Sequence, residues 1–158
     1  MAAAVQTRPP ATNDLDLESQ FCFALYSTTL ALGKVYAPIL AGLGLTYPQY
    51  LVMLVLWQED GLTVRALGEQ LHLNSGTLTP MLKRMEQAGL VRRSRDKKDE
   101  RLVRTELTGA GRALQAQAVP IPCAIAAATG LPMERLVQIK DELEGVRQAL
   151  EADETAAV

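Results

Sequence analysis

The chain has 158 residues, 48% of them hydrophobic and only 4% aromatic, with a formal net charge of −2. That length supports one hydrophobic core in a single domain, and a core built mostly from Leu, Val and Ala suits packed helices better than a β-sandwich. The opening MAAAVQTRPPATND has no apolar signal core and the longest strongly apolar run, LVMLVLW, is too short to span a bilayer, so no membrane partner is expected and the cytoplasm is the expected location.

Residues 1–13, with Pro9 and Pro10 among small polar residues, hold too little apolar surface to order and read as a disordered tail. A helix is predicted from near Asn13 or Asp14 through LDLESQFCFALYSTTLALGKVYAPIL, where Pro38 bends or ends it. Inside it Cys22 lies between Phe21 and Phe23, and Tyr26, at i+4, shares its side of the helix. A cysteine in that setting reads as a small core residue or as a reactive thiol, and composition does not choose between them. GLGL breaks the chain. Thr46-x-x-Gln49 then forms a capping-box pattern that opens a second, largely buried helix carrying LVMLVLW and Trp57.

From Thr63 a short helix places Val64, Leu67 and Leu71 on one side. The turn HLN follows, then a longer helix with Leu78, Met81, Leu82 and Met85 facing inward, Asn74 or Ser75 as its N-cap and Gly89 as its C-terminal cap. Two helices joined this closely match a helix-turn-helix. LVRRSR and RLVRTELT, on either side of DKKDE, read as a β-hairpin. The combination describes a winged helix; the alternative is an αα-hairpin beside an unrelated β-ribbon. Beyond Thr108 two helical stretches are expected, the first interrupted at Pro120 and Pro122, the second starting at Pro132 with apolar Leu136, Ile139, Leu143, Val146 and Leu150.

The predicted fold is therefore mainly α with a small β-wing. Residues 14–45 form an N-terminal sensor and dimerisation helix, 46–107 the winged helix-turn-helix, 108–152 C-terminal dimerisation helices and 153–158 a flexible tail. The terminal helices expose more apolar surface than a small winged domain covers, and a second copy of the chain is the simplest partner.

Charge distribution points to the ligand of the winged region. Residues 63–107 hold ten Lys and Arg against six acids, a net +4, which leaves −6 on the flanks. A basic centre is the footprint expected for phosphate binding, here double-stranded DNA. The N-terminal part of the second helix would enter the major groove, offering Ser75, Thr77 and Thr79 to bases or phosphates, with Lys83 and Arg84 neutralising phosphate. At the hairpin, Lys97, Lys98 and Arg101 are placed for the minor groove or the backbone, with Asp99 orienting Arg101. His72, the sole histidine, sits in the interhelical turn, where it packs or caps.

Cys22 and Cys123 lie 101 residues apart and form neither a CxxC pair nor a zinc spacing, so a disulfide between them would be a signal rather than a staple. The sequence has no paired carboxylates, phosphate loop or metal-ligand cluster. No metal, no cofactor and no enzymatic activity are expected.

The hairpin segment DERLVRTELT resembles the Asp-x-Arg wing of MarR-family transcriptional regulators, with Asp99 and Arg101 as the matching residues. FCFALYS, LTYPQYLVMLVLW and LNSGTLTPMLKRME are similar to the organic hydroperoxide resistance regulators within that family, and the resemblance spans residues 15–150. It implies a homodimeric repressor that leaves operator DNA when Cys22 is oxidised by an organic hydroperoxide. The two-cysteine branch further implies that Cys123 of the other subunit closes an intersubunit disulfide. Tyr26, Tyr36 and Tyr47 match the subgroup's tyrosines. No Lys, Arg or His lies within a helical turn of Cys22, so phenol hydroxyls are the remaining donors to a thiolate. Tyr36 is 14 residues beyond Cys22, about 21 Å along a continuous helix at roughly 1.5 Å per residue. Either the helix folds back or Tyr36 serves the partner's thiol. Phe21 and Phe23 would dry the site and favour organic hydroperoxides over hydrogen peroxide. Two alternatives remain: a MarR-type sensor of a phenolic ligand or of hypochlorous acid, and a thiol peroxidase, against which stand the basic winged segment and the absence of Arg or Thr beside the thiol.

Overall fold

Seven α-helices and three short strands make up the computed structural model, which describes residues 15–96 and 99–156. The expected tail at 1–13 and the last two residues lie outside the described ones.

The first helix starts later than its sequence suggests. Leu17–Ser19 form a 3₁₀ turn and α1 runs over Phe21–Ala41. The Asp16 carbonyl accepts from Ser19 Oγ and from Gln20 Nε2, both at 3.2 Å, and such side-chain bonds compete with helix at this point. Pro38 does not end α1. It stands one turn from the terminus, and the helix stops at a glycine motif in which Gly44 (φ 67°) lets Leu45 N reach Leu40 O at 3.1 Å. The capping box is present at the start of α2 (Tyr47–Gln58), where Thr46 N donates to Gln49 Oε1 at 2.9 Å. Tyr50, Val52, Met53 and Leu56 of α2 are buried.

The helix-turn-helix comprises α3 (Val64–Leu71) and α4 (Ser75–Gln87). Thr63 Oγ1 caps α3 by accepting from Ala66 N at 3.1 Å, and Asn74 Oδ1 caps α4 by accepting from Thr77 N at 2.9 Å. His72 holds the left-handed conformation (φ 53°) that turns the chain between them. At the far end of α4, Gly89 (φ 74°) closes the expected cap, with Leu90 N donating to Met85 O at 3.0 Å and Gly89 N to Glu86 O at 2.9 Å. Leu67, Leu78, Leu82 and Met85 are fully buried and join the two helices to α2.

The predicted hairpin is β2 (Val91–Arg95) and β3 (Val103–Leu107), paired antiparallel from Val91 opposite Leu107 to Arg95 opposite Val103. A third strand that sequence reading missed, β1 (Leu62–Thr63), pairs with the other edge of β3, giving the order β1-β3-β2. Asp60 pins this corner: its Oδ1 accepts from Gly61 N at 2.9 Å and Leu107 N at 2.8 Å, and its Oδ2 from Arg112.

Helix α5 (Gly109–Ala118) is capped by Thr108 Oγ1, which accepts from Gly111 N at 3.0 Å. The chain breaks before Pro120 into α6 (Ile121–Thr129), and α7 (Met133–Ala156) follows. Helix α7 reaches into the segment read as a flexible tail, and none of its described side chains is buried.

Candidate thiol sensor and nucleic-acid interface

Cys22 stands in the first turn of α1 as an exposed free thiol. Phe21 beside it is 56% exposed, Phe23 is half-buried, and Tyr26, whose ring centre lies 6.5 Å from that of Phe23, is exposed. The apolar pocket expected around the thiol is therefore not closed by one protomer. One helix end cannot surround its own side chains, and among the described residues Phe21, Cys22 and Tyr26 stay exposed.

Tyr36 and Tyr47 lie elsewhere. Because α1 is unbroken, Tyr36 stands about 21 Å further along it than Cys22, at roughly 1.5 Å per residue. There it meets α2, with ring centres 4.5 Å from Tyr47 and 6.1 Å from Tyr50. Tyr50, absent from the sequence-derived set, also lies 6.4 Å from Trp57. Its spacing from Tyr47, one turn along the same helix, was the available signal. Burial, followed by the neighbouring phenols, raises Tyr36 and Tyr50 above the usual phenol range. Both are neutral donors at physiological pH, and none of the three hydroxyls has a hydrogen-bond partner among the described residues. The start of α6 adjoins this cluster: Pro122 and Tyr50 line one cavity of about 230 Å³. Cys123 follows Pro122 and is an exposed free thiol. Thus Tyr36, Tyr47 and the helix bearing Cys123 share one region, while Cys22, Phe21, Phe23 and Tyr26 occupy the opposite end of α1.

The second candidate surface is a cleft of about 680 Å³ between the helix-turn-helix and the wing, bordered by Arg65, His72, Ser75, Thr79 and Arg101. Ser75 and Thr79 of the predicted DNA-binding set thus line this cleft. Thr77 is partly committed, since its hydroxyl donates to Asn74 Oδ1 at 3.2 Å. Lys83 and Arg84 are exposed on α4, and Lys97 and Lys98 lie outside the described residues. Arg101 is 91% exposed, and Asp99 Oδ1 accepts from its backbone N at 3.1 Å and its Nε at 3.2 Å. Much of the basic segment is internally paired. Arg65 meets Glu69 at 2.9 Å, Arg92 meets Glu106 at 2.6 Å and Arg93 meets Glu86 at 2.9 Å. Donation from the Arg93 backbone and guanidinium holds Glu86 below the usual carboxylate range. Lys83, Arg84 and Arg95 make no ion pair among the described residues. Arg65, at this cleft, and the exposed Arg95 of β2 are cations that the sequence-derived set omits. His72 caps as expected and also meets Glu151 of α7, Nδ1 to Oε1 at 3.2 Å.

Helices α1 and α7 carry most of the exposed large apolar side chains, among them Leu30, Leu32, Val137, Leu143 and Leu150. Among the described residues no single helix is long and apolar enough to cross a membrane.

Residues 45–103 match the MarR family. The chain is 48% identical over 136 residues to the organic hydroperoxide resistance transcriptional regulator of Bacillus subtilis (strain 168), an alignment covering 86% of this chain and 92% of that one. Its backbone is similar to that of reduced AbfR bound to DNA, with a TM-score of 0.72 and 38% identity over 85% of this chain and 93% of the other. Similarity to the disulfide-formed AbfR is lower, with a TM-score of 0.60 and 37% identity over 86% and 90%. AbfR is a protein of Staphylococcus epidermidis.

Proposed function

The chain belongs to the MarR family of transcriptional regulators, and from that premise we propose that it is a homodimeric repressor that holds operator DNA when reduced and releases it when an organic hydroperoxide oxidises Cys22. The observation that carries this reading is the unbroken α1, which separates an uncovered thiol from a cluster of neutral, unpartnered phenols. Cys22 needs donors it does not have, and Tyr36 and Tyr47 have donors to give. A two-fold partner supplies both, joining the Cys22 end of one α1 to the tyrosine end of the other. The exposed apolar faces of α1 and α7 form the contact, with residues 14–45 and 108–152 as the dimerisation region and 46–107 as the DNA-binding region.

The chemistry follows from that arrangement. The Cys22 thiolate attacks the terminal peroxide oxygen, the O–O bond breaks, and the alcohol leaves with a proton, giving Cys22 sulfenic acid. Tyr26 and the partner's phenols stabilise the negative sulfur before attack. Phe21 and Phe23, covered in the dimer, favour the alkyl part of an organic hydroperoxide. The partner's Cys123 thiolate then displaces hydroxide from the sulfenic sulfur, forming a disulfide and water once protonated. Disulfide closure needs Cα atoms within about 7 Å, which drags α6 and α7 and respaces the two wings. On the DNA side, Ser75, Thr77 and Thr79 meet the major groove, Lys83, Arg84, Lys97 and Lys98 the phosphates, and Arg101, oriented by Asp99, the minor groove. The reaction is stoichiometric sensing with no cofactor or metal.

The AbfR structures, one reduced on DNA and one disulfide-formed, support this cycle by analogy. The test is a titration of operator binding with organic hydroperoxide and with hydrogen peroxide, followed on non-reducing gels. Wild type should lose DNA and run at dimer mass. Cys22→Ser should stay bound throughout, and Cys123→Ser should form no crosslink. Operator release by Cys22→Ser under oxidant defeats the proposal. The cavity beside Tyr50 favours a second reading, a small phenolic inducer held by Tyr50 and Trp57; that reading expects release from DNA with both cysteines replaced.

A further inference from the structure

Arg104 lies near the start of β3 and is not among the residues assigned to DNA, and its guanidinium is spread between two acceptors. Its Nε donates to Asp96 Oδ2 and its Nη1 to Gly61 O at 2.7 Å. Asp96 is only 7% exposed, and its other carboxylate oxygen accepts from Asp99 N at 3.1 Å. The same loop is drawn closed by Asp96 N donating to Leu102 O at 2.8 Å and Leu102 N donating to Asp99 O at 2.9 Å. Asp99 Oδ1 then holds Arg101 through its backbone N and Nε. Contacts therefore run without a gap from the turn before β1, through Arg104, Asp96 and Asp99, to the guanidinium at the wing. The inner end is tied down where Gly61 N and Leu107 N both donate to Asp60 Oδ1.

Arg101 is nearly fully exposed, so packing does not direct it; Asp99 does. A buried carboxylate such as Asp96 is oriented by the groups that pair with it, here including the Arg104 guanidinium and the Asp99 N–H. Without Arg104, Asp96 loses the guanidinium that orients it, and the Asp99 loop loses part of its anchor. An unanchored arginine must be ordered when DNA binds, and that ordering weakens association.

We propose that Arg104 and Asp96 are positioning residues for operator binding, acting through Asp99 on Arg101 without touching DNA themselves. This rests on the reading of Arg101 as a wing residue that meets DNA. The test measures the affinity of the reduced, full-length protein for a duplex that wild type has selected from a random-sequence pool, at several salt concentrations. Arg101→Ala should weaken binding about tenfold and reduce the salt slope by ~1 for each phosphate the wing no longer neutralises. Arg104→Met should reproduce most of both effects. The double variant should be no weaker than Arg101→Ala alone, since both changes act on the same arginine at the DNA. Arg104→Lys, whose single ammonium cannot span Asp96 and Gly61 together, should fall between Arg104→Met and wild type.

Additive losses in the double variant overturn the proposal, because Arg104 would then act on DNA by its own route. So does an Arg104→Met protein that melts lower yet binds as wild type while Arg101→Ala is weak. A neutral Arg101→Ala removes the wing reading itself, a different failure from an idle Arg104. Should Arg104→Met lose its helical circular dichroism, Arg104→Lys and Asp96→Asn carry the same comparison.

Discussion

A heterodimer assembled from two defective protomers, one carrying Cys22→Ser and the other Tyr36→Phe with Tyr47→Phe, is expected to retain one complete sensor. The first protomer keeps its phenols and the second its thiol. If Cys22 is served across the two-fold axis, those intact halves meet. If it is served within its own chain, no site in the heterodimer is whole. The geometry favours the first arrangement, since Cys22 and Tyr36 stand about 21 Å apart on an unbroken α1, at roughly 1.5 Å per residue. A hydrogen bond to a charged acceptor is worth about 1.5–3 kcal/mol, so losing one phenol should slow thiolate attack by about tenfold to a hundredfold. The assay follows trapping of the Cys22 sulfenic acid in a Cys123→Ser background, where no disulfide consumes it. The Tyr36→Phe, Tyr47→Phe homodimer should react slowly, the Cys22→Ser homodimer not at all, and the heterodimer at the wild-type rate with half the wild-type amplitude. A heterodimer as slow as the tyrosine-deficient homodimer would refute the cross-subunit reasoning.

Three further expectations concern the scaffold. A Cβ at Gly111 would lie 2.1 Å from Leu90 O, the carbonyl that accepts from Thr108 N at 3.1 Å, whereas Gly109, in the same helix, has nothing within 4 Å. Gly111→Ala should therefore cost about 2 kcal/mol or more in urea unfolding, from disturbed hydrogen bonds, while Gly109→Ala is neutral or mildly stabilising; equal stabilities would contradict the close approach. Thr105 Oγ1 is buried in mid-β3 with no hydrogen-bond partner among the described residues, so Thr105→Val should stabilise by about 1 kcal/mol, and a loss of similar size would show that the hydroxyl is satisfied after all. Glu86 is held below the usual carboxylate range by Arg93, so its contribution is complete above the unfolded-state value of about 4.3 and disappears as pH falls through the lower folded value. Denaturation from pH 7 down to pH 2 should show wild type converging on Glu86→Gln in acid; a constant gap would rule out that linkage.

What the chain settles by itself is whatever depends on residues within a few positions of one another. The Thr46–Gln49 box, the Asn74 cap of α4, the Gly89 terminus and the break before Pro120 are each made by side chains or backbone groups up to five residues apart, and each was legible in order along the sequence. The Asp99 to Arg101 contact belongs to the same class, and the hairpin is legible from the two runs flanking DKKDE although it pairs residues as distant as Val91 and Leu107. Local chemistry misled only where two local preferences competed, as at Asp16 to Gln20, where a 3₁₀ turn displaces the start of α1.

Tertiary structure decided the rest, because its partners are far apart in sequence. Strand β1 is two residues long and exists only through its pairing with β3. Asp60 acquires its role from Leu107 and Arg112, and Arg104 from Gly61, across more than forty residues in each case. The basic segment counts as +4 in the sequence, yet folding sets Arg92 and Arg93 against carboxylates and leaves Lys83, Arg84 and Arg95 with no ion pair among the described residues. The sensor shows the same division. The resemblance to hydroperoxide regulators proposes its cysteines and tyrosines, but only a rigid α1 reveals that a single protomer cannot bring Cys22 and Tyr36 together, since a helix fixes the distance between its residues at the moment it forms.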